Sequence, residues 1–256
     1  MSKLECFQFP YGHDNYGVLV HDADSGQTAC IDAGDAQAAL SALELQGWTL
    51  THLLITHHHG DHTAGLAAIK SATACTVVGP EPLSSPIAGI DRFVSDGSEF
   101  DFAGHGVKAI HTPGHTTDMI NYHFVDDALV FTGDTLFSMG CGRLFEGDAK
   151  MMLTSINKLK ALPPETLVYC AHEYTATNAR FALDVDPDNA ALQDRAREVT
   201  RLRDNDEATV PSTLQMELAT NPFLRTDDAR LRESLGLADA DDVAVFAELR
   251  ERRNQY

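Results

Sequence analysis

The segment Thr56-His57-His58-His59-Gly60-Asp61-His62 places four histidines and an aspartate directly after the apolar run Leu53-Leu54-Ile55. In extended backbone, residues two apart project to the same side, so His57, His59 and Asp61 can converge while His58 points away. His62 can join them as the chain turns into helix. Imidazole nitrogen and carboxylate oxygen suit borderline cations such as Zn²⁺ and Fe²⁺, and this segment offers more donors than one tetrahedral site accepts, so two metals are implied. A lone histidine is usually surface decoration, but four at the end of an apolar strand, interleaved with Asp, are not. No cysteine lies nearby, which argues against a structural zinc finger; a His and Asp site with spare coordination positions is what metal-assisted catalysis needs.

The surrounding elements must bring these groups to strand ends. Tyr16 to Val20 and Thr28 to Asp32 read as strands, followed by a helix over Ala36 to Gln46 with Asp35 as N-cap and Gly47 just past its end. A buried strand follows at Thr51 to Thr56, then the histidine-rich loop and a helix over Asp61 to Ser71. Further strands are expected at Cys75 to Val78, Val107 to His111, Ile120 to Val125, Ala128 to Thr132 and Thr166 to Ala171, with Asp126-Asp127 suiting a hairpin turn. From Tyr174 the texture changes. Ala, Leu, Arg, Asp and Glu recur at helical spacing through Asn189 to Asp204 and Asp239 to Arg253, so a helical second domain is expected. Asp186-Pro187-Asp188 and Val210-Pro211-Ser212-Thr213 read as breaks, the latter supplying an N-cap at Ser212 or Thr213.

Composition limits the function classes. The 256 residues, 43% apolar, can bury a sizeable core. No apolar stretch reaches the ~20 residues of a membrane helix, and the start Met1-Ser2-Lys3-Leu4 has no apolar signal core, so a cytoplasmic location is expected. The five cysteines are odd in number and far apart, which fits small buried hydrophobes in a reducing compartment. A formal charge of −19 argues against nucleic-acid or anionic-membrane binding, and any anionic ligand must find a local basic pocket.

Thr56 to His62 resembles the His-x-His-x-Asp-His signature of the metallo-β-lactamase superfamily. Three later segments resemble its further ligand motifs in order and spacing: Thr112-Pro113-Gly114-His115-Thr116, Thr132-Gly133-Asp134-Thr135-Leu136-Phe137 and Ala171-His172-Glu173-Tyr174. The resemblance implies an α+β fold, an αββα sandwich over residues 1–173, followed by a smaller all-helical domain over 174–256. It also implies two divalent ions, zinc with iron or manganese as alternatives: the first held by His57, His59 and His115, the second by Asp61, His62 and His172, with Asp134 bridging. Asp61 and Asp134 are the candidate catalytic carboxylates. His52, His58, His105, His111 and His123 stay outside this set, in surface, packing or supporting roles.

A pair of ions lowers the pKa of a bridging water, so that hydroxide serves as nucleophile without a protein nucleophile. No Gly-x-Ser-x-Gly elbow competes, and Cys141 has no local His base, so Cys141 reads as structural. Within the superfamily the chain resembles the glyoxalase II branch, the hydroxyacylglutathione hydrolases, over nearly its full length. Gly133 to Arg143 resembles that branch's substrate loop and His172 to Asn178 its domain junction. The tail carries its remaining marks, Val210-Pro211-Ser212-Thr213, Asn221-Pro222-Phe223-Leu224-Arg225 and Leu249-Arg250-Glu251-Arg252-Arg253-Asn254. The implied reaction is hydrolysis of an S-(2-hydroxyacyl)glutathione such as S-D-lactoylglutathione to glutathione and a 2-hydroxy acid, the second step of methylglyoxal detoxification, by a monomer.

Arg250 and Arg253, three apart on a helix, share a face, and guanidinium binds carboxylate through two parallel hydrogen bonds. The resemblance implies that Arg143, Arg250 and Arg253 hold the glycine carboxylate of glutathione and that Tyr174 contacts the peptide. The sequence departs from the branch at Arg143 and Arg253, where Lys is common, at Asn254, where Asp is common, and at Phe145, where Tyr is common. Rival readings are a persulfide dioxygenase with one iron, a lactonase or a β-lactamase of the same superfamily, and a non-catalytic metal-binding module. The complete second ligand set and the helical tail count against the dioxygenase, β-lactamases do not usually carry such a tail, and the filling of all seven ligand positions counts against the non-catalytic module.

Overall fold

The computed structural model describes residues 3–83 and 85–256. They form two compact units, one running up to His111 and including Thr116–Gly133, the other made of Thr112–His115 and Asp134–Tyr256.

The first unit is a two-sheet sandwich. Its larger sheet is ordered β1 (Glu5–Tyr11), β2 (Asn15–Asp22), β3 (Gln27–Ile31), β4 (Leu50–Leu54), β5 (Thr76–Pro80) and β6 (Arg92–Val94), antiparallel from β1 to β3 and parallel from β3 to β6. The parallel steps need crossovers, and two of these are helical. The first is α1 (Ala36–Gln46), whose Asp35 carboxylate accepts from the Ala38 amide and whose end is closed by left-handed Gly47, as expected. The second is broken. Where the apolar pattern predicts one helix over Asp61 to Ser71, the chain makes α2 (Gly60–Thr63) and α3 (Leu66–Thr73). Gly65 separates them: its amide bonds the Ala33 carbonyl, and a Cβ there would lie 2.7 Å from that oxygen. The outer face of this sheet is covered by Ala39, Ala42, Leu43, Leu66 and Ile69 packing on Leu19, Cys30, Leu53 and Val77.

The facing strands β7 (Glu99–Phe102), β8 (His105–His111), β9 (Ile120–Phe124) and β10 (Leu129–Gly133) form an antiparallel meander, with Asp126 and Asp127 in the β9–β10 turn as expected. The two layers are tied at Tyr122, fully buried, whose hydroxyl donates to the Ile55 carbonyl at 2.7 Å. Phe102 meets His52 edge-on across the same interface. β1, β6 and β7 have no counterpart among the strands expected from sequence.

The second unit begins with the short hairpin β11 (Leu136–Phe137) and β12 (Gly140–Cys141). It continues through α4 (Ala149–Lys160), β13 (Leu167–Cys170), α5 (Thr175–Val185), α6 (Ala190–Asp204), β14 (Ser212–Thr213), α7 (Leu214–Thr220), a 3-10 turn at Pro222–Leu224, α8 (Ala229–Leu235) and α9 (Asp242–Gln255). The expected breaks hold: Asp186 ends α5, Asn189 caps α6, and of the two cap candidates Thr213 caps α7, accepting from the Met216 amide. The sequence reading missed α4, although Asp148 is an N-cap and Met152, Leu153, Ile156 and Leu159 lie buried at helical spacing. Among the described residues no helix is long and apolar enough to cross a membrane.

Candidate metal centre

In the first unit β4 runs straight into Ile55-Thr56, and Thr56 is fixed before the histidines begin. Asp32, just past the end of β3 with φ of 62°, accepts from the Thr56 amide at 2.8 Å and from its hydroxyl at 2.9 Å. The same carboxylate takes the His62 Nδ1–H at 2.8 Å, and Thr56 Oγ1 lies 3.0 Å from His57 Nδ1. With Nδ1 occupied on both rings, each presents Nε2 inward, the tautomer a ligand needs. His57 Nε2 stands 3.1 Å from His59 Nδ1, and His62 Nε2 stands 3.4 Å from Asp61 Oδ2. Asp61 is placed by Asn15, whose Nδ2 donates to Oδ2 at 3.1 Å, and by Tyr11, whose hydroxyl donates to its carbonyl. Gly34 is required beneath it, because a Cβ there would sit 1.8 Å from the Asp61 carbonyl oxygen.

His115, Asp134 and His172 meet in the second unit. One Asp134 oxygen lies 3.2 Å from His115 Nε2 and the other 3.3 Å from His172 Nε2, so each oxygen faces a different imidazole. His115 donates Nδ1–H to the Arg143 carbonyl at 2.8 Å, again leaving Nε2 inward. His172 is stacked on Tyr174 with centroids 4.7 Å apart and is met edge-on by Phe137. His57, His62, His115, Asp134 and His172 are all buried.

These donors fit divalent ions. Donors at ~2.0–2.1 Å around a tetrahedral ion stand roughly 3.3–3.4 Å from one another. The donor pairs here are separated by 3.1 to 3.4 Å. Imidazole and carboxylate without thiolate form the donor set of zinc, iron or manganese.

The basic groups gather in the second unit beside Asp134. Arg143 is exposed, with its guanidinium 6.0 Å from the Phe145 ring, and Phe145 is exposed and edge-on to His115. Arg253 is partly buried; its Nε and Nη2 donate to Asn178 Oδ1. Burial, then the charges of Arg250 and Arg143, push the Arg253 guanidinium below its usual pKa, so three cations share one neighbourhood in a strongly acidic protein. Arg250 differs from the expectation of a group open to ligand. It is buried, lies over Phe223, and its Nη1 donates to the Cys141 carbonyl at 2.7 Å. Cys141 is buried with its thiol pKa raised by desolvation, as an inert structural cysteine requires.

The histidines left outside the set have other partners: His58 with Asp118, His105 with Asp127, His111 with the Thr117 carbonyl. The sequence reading missed Asp32, Asn15 and Asn178. Asp32 carried a usable signal, an acid in Asp32-Ala33-Gly34-Asp35 closing the strand beside the histidine strand. Nothing in the sequence marks Asn15.

A profile of the metallo-β-lactamase superfamily matches residues 13–172, and a profile described as the hydroxyacylglutathione hydrolase C-terminus matches residues 173–256. The hydroxyacylglutathione hydrolase of Brucella ovis is 53% identical over 255 residues, covering 100% of this chain and 99% of its own. Among solved structures, ETHE1 from Myxococcus xanthus aligns over 99% of this chain and 92% of its own, with TM-score 0.68 and 25% identity. A metallo-β-lactamase from Staphylococcus aureus aligns over 99% of this chain and 72% of its own, with TM-score 0.66 and 21% identity, a likeness of fold alone.

Proposed function

Because the chain belongs to the metallo-β-lactamase superfamily and, within it, to the hydroxyacylglutathione hydrolases, we propose that it hydrolyses S-(2-hydroxyacyl)glutathione thioesters, S-D-lactoylglutathione among them, to glutathione and the 2-hydroxy acid. The observation that carries this reading is the segment Asp134 to Arg143, which has a metal donor at one end and a cation at the other, beside Arg250 and Arg253. Donor chemistry and an anion-binding neighbourhood in one short stretch suit a thioester whose thiol carries carboxylates.

Two divalent ions would be held by the seven residues that match the superfamily's ligand motifs, His57, His59, Asp61, His62, His115, Asp134 and His172. Zinc, iron and manganese all suit these donors. When bound, the ions supply Lewis acidity toward the thioester carbonyl and a water of lowered pKa. Asp32, Thr56 and the Arg143 carbonyl keep the ligand histidines in the tautomer that offers Nε2. Arg143 and Arg253 take the glycine carboxylate, Arg250 adds its charge while bracing the loop, Tyr174 lies along the peptide, and Phe145 presents an apolar edge to the thiol carrier. We place the boundary between the catalytic and substrate-binding modules at 173/174. The five cysteines, none in a disulfide, suit a reducing cytoplasm, and the enzyme acts as a monomer.

The test is a substrate panel on metal-loaded protein: thiol release from S-D-lactoylglutathione beside a β-lactam, a lactone and a glutathione persulfide with oxygen uptake recorded. Fast thiol release with no oxygen uptake is expected. A preference for any of the other three substrates refutes the assignment.

A further inference from the structure

The β11–β12 hairpin joins Asp134 to Arg143, whose carbonyl orients His115. Its tip is not held by its own pairing, which spans two residues on each side. Instead, polar groups from α5, from α7 and from the residue that ends α7 grip its backbone. Asn221 Nδ2 lies 3.0 Å from both the Phe137 and the Gly140 carbonyl oxygens, and Asn178 Nδ2 donates to the Ser138 carbonyl at 3.0 Å. The Met139 amide donates at 2.8 Å to Oε2 of Glu217, a fully buried carboxylate. Glu217 is itself fixed by Ser212, whose hydroxyl donates to Oε1 at 2.6 Å, and by Asn221 at 3.1 Å.

Met139 takes a left-handed conformation, φ 53°, which a residue with a Cβ adopts only when its surroundings impose it. Its side chain is buried against Ala179, Ala182, Leu192 and Val199. At the base of the hairpin, Gly142 packs so closely that a Cβ would lie 1.9 Å from the Asp134 carbonyl oxygen, and its amide donates to Thr135. The hairpin backbone is thus packed directly on Asp134, the residue that faces both His115 and His172.

We propose that Glu217 and Asn221 are positioning residues for the metal centre, holding the 137–140 backbone so that Asp134 and the Arg143 carbonyl keep the places His115 and His172 require. The proposal rests on Asp134 being a metal ligand, as inferred above. A purely structural role would change stability and leave metal affinity alone. A positioning role changes both metal affinity and kcat, because supporting groups around a metal set the geometry of its ligands.

The experiment measures zinc affinity by competition with a chromophoric chelator, kcat and KM, and exchange of the Met139 amide in metal-free and zinc-loaded protein. Glu217→Ala and Asn221→Ala should each weaken zinc binding and lower kcat by ~10–100-fold. Glu217→Gln keeps an oxygen for the Met139 amide and can donate to Ser212, so it should stay within about threefold of the parent protein. By linkage, zinc should slow Met139 exchange in the parent protein. Folded alanine variants with unchanged zinc affinity and kcat would overturn the proposal. If those variants do not fold, equal Met139 exchange with and without zinc in the parent protein overturns it. Failure of the parent protein to hydrolyse the thioester would refute the proposed substrate and leave the zinc and exchange results standing; failure to bind zinc at all would remove both.

Discussion

Replacing Asp32 by Asn tests whether the proposed ligand histidines depend on a carboxylate outside the donor set. Asp32 is buried and takes three groups: the Thr56 amide on Oδ1 and the His62 Nδ1–H on Oδ2, each at 2.8 Å, and the Thr56 hydroxyl, at 2.9 Å from Oδ2. Asparagine can keep the first by presenting its carbonyl to Thr56, but it then sets an NH₂ against the His62 Nδ1–H. The imidazole avoids that donor–donor clash by moving its proton to Nε2, the nitrogen that faces Asp61. Metal binding must then reverse the tautomer and accept a lost charge-assisted hydrogen bond, worth about 1.5–3 kcal/mol, or roughly a tenfold to a hundredfold weaker affinity. The set containing His62 should lose its ion first, because Asp32 holds His62 directly and reaches His57 only through the Thr56 hydroxyl. Chelator competition with Zn²⁺, read as stoichiometry and as two affinities, with thiol-release kinetics alongside, makes the measurement. Two ions retained in Asp32→Asn at parental affinity, in a protein of unchanged thermal midpoint, would show that the tautomer argument is wrong.

Asp134→Ala should lower metal content below that of the parent protein and cut turnover by orders of magnitude, since both its oxygens face ligand imidazoles; elemental analysis and kcat check this. Arg253→Ala should raise KM for S-D-lactoylglutathione by about tenfold or more with little change in kcat, and the penalty should shrink for a thioester whose thiol lacks the glycine carboxylate. Gly142→Ala should impair metal binding more than its small volume suggests, because the added Cβ meets backbone at 1.9 Å; circular dichroism and zinc titration separate this from unfolding. Burial raises the thiols of Cys30, Cys141 and Cys170, the last to about 12, so the folded protein keeps them as thiols. Because the unfolded chain ionises first as pH rises, stability should fall above about pH 8.5. Iodoacetamide labelling at pH 8 should therefore spare these three until the protein unfolds.

The amino-acid sequence by itself determined which His and Asp side chains are candidate donors and most of the elements that carry them. Donor chemistry is a property of residue type, and spacing of two along an extended segment sets which of His57, His58 and His59 can converge; both are local. The same holds for the cap at Asp35, the stop at Gly47 and the helical texture after Tyr174. Tertiary structure decided what those donors lean on. Asp32 reaches His62 because β3 and β4 are parallel neighbours, and no local pattern states that pairing. The helix expected over Asp61 to Ser71 breaks because the Ala33 backbone occupies the space at Gly65. Arg250 and Arg253 read alike in sequence, three apart on one helix face. Packing buries Arg250 over Phe223 and ties it to the Cys141 carbonyl, while it leaves Arg253 partly open beside Asn178. Side-chain amides, buried carboxylates and guanidiniums acquire such roles from partners that are distant along the chain, so these assignments exist only once the chain has folded.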